Sequence, residues 1–137
     1  MLRHRSLEPF SRDHNQGLIL ARGLMLGRPD AIRNAQEAWD AELRDHFEEE
    51  ERCLLPLCSP ASAARLVAEH REMADRIALL PHDPVALGQM LEAHIRWEER
   101  ELFPEIEQNA TPEQFEQLAA MTEQVETKRW PADPKRE

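Results

Sequence analysis

The sequence contains no tyrosine, and aromatic residues make up only 5% of its 137 positions. Without Tyr, any tyrosyl-radical chemistry is excluded. The scarcity of aromatics, with no polar/apolar alternation anywhere, argues against a sheet protein. There are two cysteines, Cys53 and Cys58, and their spacing suits neither a CxxC redox pair nor a zinc knuckle. Cys53 reads as a small core residue and Cys58 as a turn residue, both compatible with a reducing compartment. No run approaches the roughly 18 apolar residues of a membrane span. The opening MLRHRSLEPFSRDH lacks the apolar stretch of a secretion signal, so a cytoplasmic location is expected. Positive charge is also short, with 17 Lys and Arg against 27 Asp and Glu for a net charge of −10. Nothing here would displace counterions from nucleic acid or bind an anionic membrane surface.

What the chain does have is helical periodicity, broken by clear turn signals at Gly27-Arg-Pro29-Asp30, Pro56 to Pro60 and Pro81-His-Asp-Pro84, with a weaker break at Gln108-Asn109-Ala110. The spacing predicts helices over about 11–27, 30–55, 60–80 and 84–107. Their apolar stripes run through Leu18, Ala21 and Met25; Ile32, Trp39 and Leu43; Leu66, Met73, Ile77 and Leu80; and Leu87, Leu91 and Leu102. A fifth helix is expected to open at Thr111-Pro112, carrying Phe115, Leu118, Met121 and Val125 as a cover. The expected architecture is all-α: an up-down-up-down antiparallel four-helix bundle with an additional C-terminal helix. One domain should span 1–130, with a disordered tail at 131–137 and a disordered start around His4.

Two segments repeat each other. His46-Phe-Glu-Glu-Glu50-Glu51-Arg52-Cys-Leu54-Leu-Pro56 aligns with His94-Ile-Arg-Trp-Glu98-Glu99-Arg100-Glu-Leu102-Phe-Pro104. Each places an imidazole and a carboxylate four residues apart, on one helix face and one turn from each other. His14 and His70 lie one helix earlier in each half. In an antiparallel hairpin, residues equidistant from the turn share a height. Positions 30, 58 and 82 are midway between His14 and His46, His46 and His70, and His70 and His94, and each falls in a turn signal. The four histidines should therefore meet at one level, on the apolar stripes of their helices. A single inward histidine is an ordinary hydrogen-bonded core residue. Four facing each other in a dry interior would repel on protonation, and a shared metal removes that cost by holding the rings neutral.

The expected metal ligands are His14, His46, Glu50, His70, His94 and Glu98. Nitrogen and oxygen donors alone disfavour a thiolate zinc site, and the imidazole content disfavours calcium or magnesium. Two bridging carboxylates with two imidazoles per ion suit a pair of iron ions joined by an oxo or hydroxo group, with manganese or zinc as alternatives. About one position on each octahedral ion then stays open for O₂, NO or peroxide. His4 and His82 lie away from this level. Glu48, Glu49 and Glu51, and likewise Glu99 and Glu101, read as solvated faces, with Glu49 and Glu69 as candidates for an extra ligand or outer contact.

The set His14, His46-x-x-x-Glu50, His70 and His94-x-x-x-Glu98, with the flanks Ser-Arg-Asp-His and Glu-Glu-Arg-Glu-Leu-Phe-Pro, resembles the hemerythrin-like family of HHE cation-binding domains. The resemblance covers about residues 10–107 and implies a four-helix bundle around a non-haem di-iron centre. Oxygen-carrying members have a further histidine one turn after the third-helix ligand, where this chain has Met73 and Ala74. The pattern is more similar to the di-iron domain of bacterial proteins that repair iron–sulfur clusters, without their cysteine-bearing N-terminal domain. The mammalian iron-sensing hemerythrin domain is a third relative by pattern, without its fused ubiquitin-ligase module. The expected function is a non-haem di-iron protein that binds or senses O₂, NO or iron, with no organic-substrate pocket. The alternatives are an enzyme reducing peroxide or NO or repairing clusters, with Trp39 or Trp97 as electron relays, and a zinc-holding structural bundle. The redox partner is left open.

Overall fold

The computed structural model describes residues 3–129, with side chains described to 124, and all its regular structure among these residues is helical. The expected tail at 131–137 and the side chain of Val125 lie outside the described residues. The first helix, α1, spans Glu8–Leu26 and ends on Gly27, whose φ of 64° lets the Gly27 and Arg28 amides bond back to the carbonyls of Leu24 and Gly23. The second rod, α2, covers 31–54 and contains a π turn at Trp39–Leu43. The third, α3, spans Pro60–Ala78 and is capped by Ser59, whose hydroxyl accepts from the Ser62 amide at 3.2 Å. The fourth, α4, covers 84–109 and begins on Asp83, which accepts from the Ala86 amide; a second π turn occupies Glu98–Leu102. The last, α5, spans Pro112–Arg129. Its start is a capping box in which the Thr111 amide donates to Gln114 Oε1 and the Gln114 amide donates to Thr111 Oγ1.

The rods follow the turn signals to within a few residues because Gly, Pro, Ser and Asp at those positions stop or cap helices. Helix α1 lies along α4 in the most extensive contact of the molecule, and α2 and α3 complete the bundle while α5 contacts α2. Close approach of α1 and α4 depends on Gly88, where a Cβ would sit 2.7 Å from the Ala21 carbonyl oxygen and 2.8 Å from Met25 Cγ. Backbone cannot yield as a flexible side chain does. Gly88→Ala is therefore expected to lose about 1–3 kcal/mol despite the helix propensity it gains. At Gly23 the nearest atom to an added Cβ is 3.6 Å away, so Gly23→Ala should be neutral or stabilising by up to about 1 kcal/mol. Urea melts of the two variants check this; a Gly88→Ala protein as stable as the parent would contradict the account of helix approach.

The apolar core is split in two. One cluster joins Ala21, Leu24, Met73, Ile77, Leu87 and Leu91; the other joins Leu7, Phe10, Leu54, Leu66, Leu102 and Phe103. Along every rod of the bundle the expected ligands fall between members of the two clusters, so the polar layer has a dry apolar layer on each side. The expected disorder around His4 is not observed. Arg3 Nη1 bonds Glu107 at 2.6 Å, its Nη2 donates to the Glu99 carbonyl at 2.7 Å, and the His4 ring stacks on Phe115 at 4.1 Å. A basic side chain and an aromatic partner tie the start of the chain to α4 and α5. Among the described residues no helix is long and apolar enough to cross a membrane.

Candidate metal centre

The structure brings all six expected side chains together. His14 comes from α1, His46 and Glu50 from α2, His70 from α3, and His94 and Glu98 from α4. Each is buried, with relative exposures of 4% or less. Glu50 Oε1 lies 3.2 Å from both His46 Nε2 and His70 Nε2, and Glu98 Oε1 lies 3.1 Å from both His14 Nε2 and His94 Nε2. Each carboxylate thus spans two imidazoles from different rods. His14, His46 and Glu50 form one group whose ligand atoms lie within 4.8 Å of one another, and Glu50, His70 and His94 form a second. The ring centroids are 6.0 Å apart for His14 and His46 and 4.9 Å apart for His70 and His94.

Whether these groups fit a metal can be asked of their polar atoms. Both Glu50 oxygens, Glu98 Oε2, His70 Nε2 and His94 Nε2 are buried without a hydrogen-bond partner. Orphaned acceptors in a dry layer cost roughly 1–3 kcal/mol each, more when charged, so their concentration in one place requires an explanation. Adjacent donors around an ion at about 2.1 Å, set at right angles, would be about 3.0 Å apart. The observed separations of 3.1–3.2 Å leave room for such coordination. The donor set fits a cation.

The outer ring nitrogens are anchored. His46 Nδ1 faces Asp13 Oδ2 at 2.9 Å, His70 Nδ1 faces Glu51 Oε2 at 2.9 Å, and His94 Nδ1 faces Glu69 Oε1 at 2.7 Å. His14 Nδ1 faces Glu99 Oε1 at the longer distance of 3.6 Å. A carboxylate behind an imidazole fixes which nitrogen carries the proton and turns the other one inward, as at histidine-ligated metals. These carboxylates correct the sequence reading. Glu51 and Glu99, taken as solvated face, back His70 and His14, and Glu49 is buried rather than solvated. Asp13, sequence neighbour of His14, supports His46 on the next rod. Glu69 is such an outer contact, made to His94.

The electrostatics of the cluster reflect its crowding. Burial opposes charge on His14, but Glu98 and Glu99 outweigh it and push its pKa up to about 9. For His94 burial is again overcome, by Glu98 and Glu69, and the pKa rises to about 10. His46 is raised too, its burial offset chiefly by Glu50. Burial works against ionised Glu50, yet the charge of His46 and the close Glu98 and His70 side chains hold its carboxyl well below the usual range. Without a cation, protons supply the countercharge that the carboxylates need. The cysteines take no part: Cys53 is buried in the apolar cluster, and Cys58 Sγ donates to the Leu54 carbonyl, its pKa pushed to about 12 by burial and by Glu105.

A cavity of about 320 Å³ opens onto the centre from the side of α1, α2 and α4. His14, His46, His94 and Glu98 border it, together with the apolar side chains Leu20 and Leu91. The sequence reading foresaw no such pocket. Its walls come from three rods, and the π turn at Trp39–Leu43, part of that wall, has no signature in the apolar pattern.

Comparison with known proteins agrees with this geometry. The hemerythrin HHE cation-binding domain family matches residues 4–82, which include His14, His46, Glu50 and His70. His94 and Glu98 lie beyond the matched stretch and are brought to the same centre by the fold. No curated protein and no solved structure gives a significant match. More than half the chain fits the family model, and the buried His and Glu groups that could hold a metal are in place. The chain belongs to the hemerythrin HHE cation-binding domain family.

Proposed function

We propose that this protein holds two iron ions and uses them to bind or sense O₂, NO or iron itself, without turnover. His14 and His46 would hold one ion, His70 and His94 the other, and Glu50 and Glu98 would bridge them, in a bundle whose four main rods alternate in direction. One observation carries this reading: orphaned, buried ligand atoms converge from three rods beside His14 of the fourth, while each outer ring nitrogen faces a carboxylate. Charge supports it as well. With neutral imidazoles, Glu50, Glu98, Asp13, Glu51, Glu69 and Glu99 leave a large negative excess that two multivalent cations offset.

Bound iron would supply reversible redox change and an open coordination position for a diatomic ligand. The chain's own contribution is to exclude water with the apolar clusters above and below, to turn the inward nitrogens toward the centre, and to admit small molecules from one side. The absence of a further histidine at Met73 and Ala74 leaves the two imidazole pairs equal in number. Met73 is buried in apolar core, 1% exposed.

The cavity favours a second reading, an enzyme that reduces peroxide or NO, because its volume exceeds what a diatomic requires. Trp97 lies against His94, with ring centroids 5.8 Å apart, where it could relay an electron. The test is anaerobic loading with ferrous iron, a metal count, and optical spectra before and after O₂ or NO. Close to two irons per chain and a ligand-dependent absorption change are expected. A colourless, unresponsive protein with negligible iron would reject the proposal, and zinc retained from iron-rich medium would favour a structural bundle. Steady-state turnover with peroxide or NO well above that of free iron would favour the enzyme.

A further inference from the structure

We propose that the two metal positions are unequal: the His14/His46 position exchanges its ion through the cavity, while the His70/His94 position retains its ion. The inference rests on the two-ion reading above and concerns what the surroundings of each imidazole pair do. Three independent features separate the halves, although the ligands are alike in type and number.

The first is access. His14 and His46 both border the cavity, whereas of the other pair only His94 does, and neither His70 nor Glu50 lines it. The cavity also carries the carboxylates of Glu42 and Asp45, both exposed, which raise the local concentration of cations.

The second is anchoring. His70 and His94 are each held at Nδ1 by a carboxylate within hydrogen-bond distance, at 2.9 and 2.7 Å, and so is His46, by Asp13 at 2.9 Å, so the difference between the halves lies at His14. His14 faces Glu99 only at 3.6 Å, and its Nδ1 is buried without a hydrogen bond. Glu99 is engaged elsewhere: Ser11 Oγ donates to its Oε2 at 2.8 Å, and Arg3 lies 3.5 Å from the same oxygen. An imidazole with a weakly fixed ring is a weaker ligand.

The third is packing. Phe47 stacks on His70 with centroids 4.1 Å apart and planes within 7°. Phe103 stacks on His14 less closely, at 5.5 Å. Ring motion that would release an ion is therefore more restricted at His70.

The test is chelator challenge of protein loaded anaerobically with cobalt(II) and followed by its visible absorbance. The cobalt count before chelator tests the two-ion reading by itself: one equivalent or less overturns that reading and this inference with it. With two equivalents bound, excess EDTA should remove them in two phases of equal amplitude, separated at least about tenfold in rate. Asp13→Asn, which loosens His46, should speed the fast phase by about 10-fold or more and leave the slow phase unchanged. Glu51→Gln, which loosens His70, should speed the slow phase only. Ala41→Trp, at the exposed wall of the cavity, should slow the fast phase. A single phase releasing both ions, or an Asp13→Asn effect confined to the slow phase, would overturn the inference.

Discussion

Glu50→Ala is expected to abolish retention of the paired metal ions while leaving the helical content unchanged. Glu50 is fully buried, and one of its oxygens stands 3.2 Å from both His46 Nε2 and His70 Nε2. Its removal leaves each ion without a shared ligand and leaves the imidazoles facing a gap with less negative charge. Changes to outer partners of metal-bound histidines cost roughly 10–100-fold in affinity, and loss of a bridging ligand should exceed that. Glu98→Ala should behave in the same way, since Glu98 links His14 and His94 by the same spacing. Metal counts after gel filtration, paired with far-ultraviolet circular dichroism, check both variants. Glu50→Gln keeps the volume, so equal loss in that variant would assign the effect to charge and ligation rather than to a cavity. Full metal content in both alanine variants would refute the bridging roles.

The second large effect is a reversal in the sign of pH dependence between metal-free and metal-loaded protein. In the metal-free protein, His14 and His94 have pKa values near 9 and 10, raised from 6.5. The folded state then binds more protons than the unfolded chain between those limits, so stability falls as pH rises. The contribution of these two histidines is fully present below about pH 6.5 and is lost as pH passes through about 9 to 10. Glu50 acts oppositely: its lowered pKa gives stability above the ordinary carboxyl range that disappears in acid. Metal must displace the imidazole protons, so its affinity rises with pH over the interval where the metal-free fold weakens. Loading at pH 7 should release on the order of two protons per chain from His14 and His94. Calorimetry in buffers of different ionisation enthalpy measures this directly, and thermal melts across pH 6–10 measure the stability trend. Loading without proton release, or a metal-free protein whose stability climbs toward pH 10, would contradict the electrostatic account.

Helix positions and the convergence of the six buried histidine and glutamate side chains were legible in the sequence because both rest on local rules. Gly27, Ser59, Asp83 and Thr111 end or start helices by backbone geometry and capping, which nearby residues alone determine. The repeated His-x-x-x-Glu and the symmetry of His14, His46, His70 and His94 about the turns then placed six side chains at one level. The outer shell was not legible. Glu51 and Glu99 stand in acidic runs that look like solvent-facing helix, and only the rotation of each rod aims them at an imidazole. Asp13 reaches across to another rod, a contact that adjacency to His14 conceals. The two π turns, at Trp39–Leu43 before His46 and at Glu98–Leu102, have no signature in the apolar pattern. The cavity is lined by residues of three rods that are far apart in sequence. The ordered start at Arg3 depends on Glu99 and Glu107, far away in sequence.

The central claim is that a pair of ions sits between the two histidine pairs. Anomalous diffraction at the iron edge, from crystals of protein loaded with ferrous iron, tests this most directly. Two peaks are expected, one beside His14 and His46 and the other beside His70 and His94, with Glu50 and Glu98 between them. A lone peak, peaks outside this layer, or none at full iron loading would contradict the account.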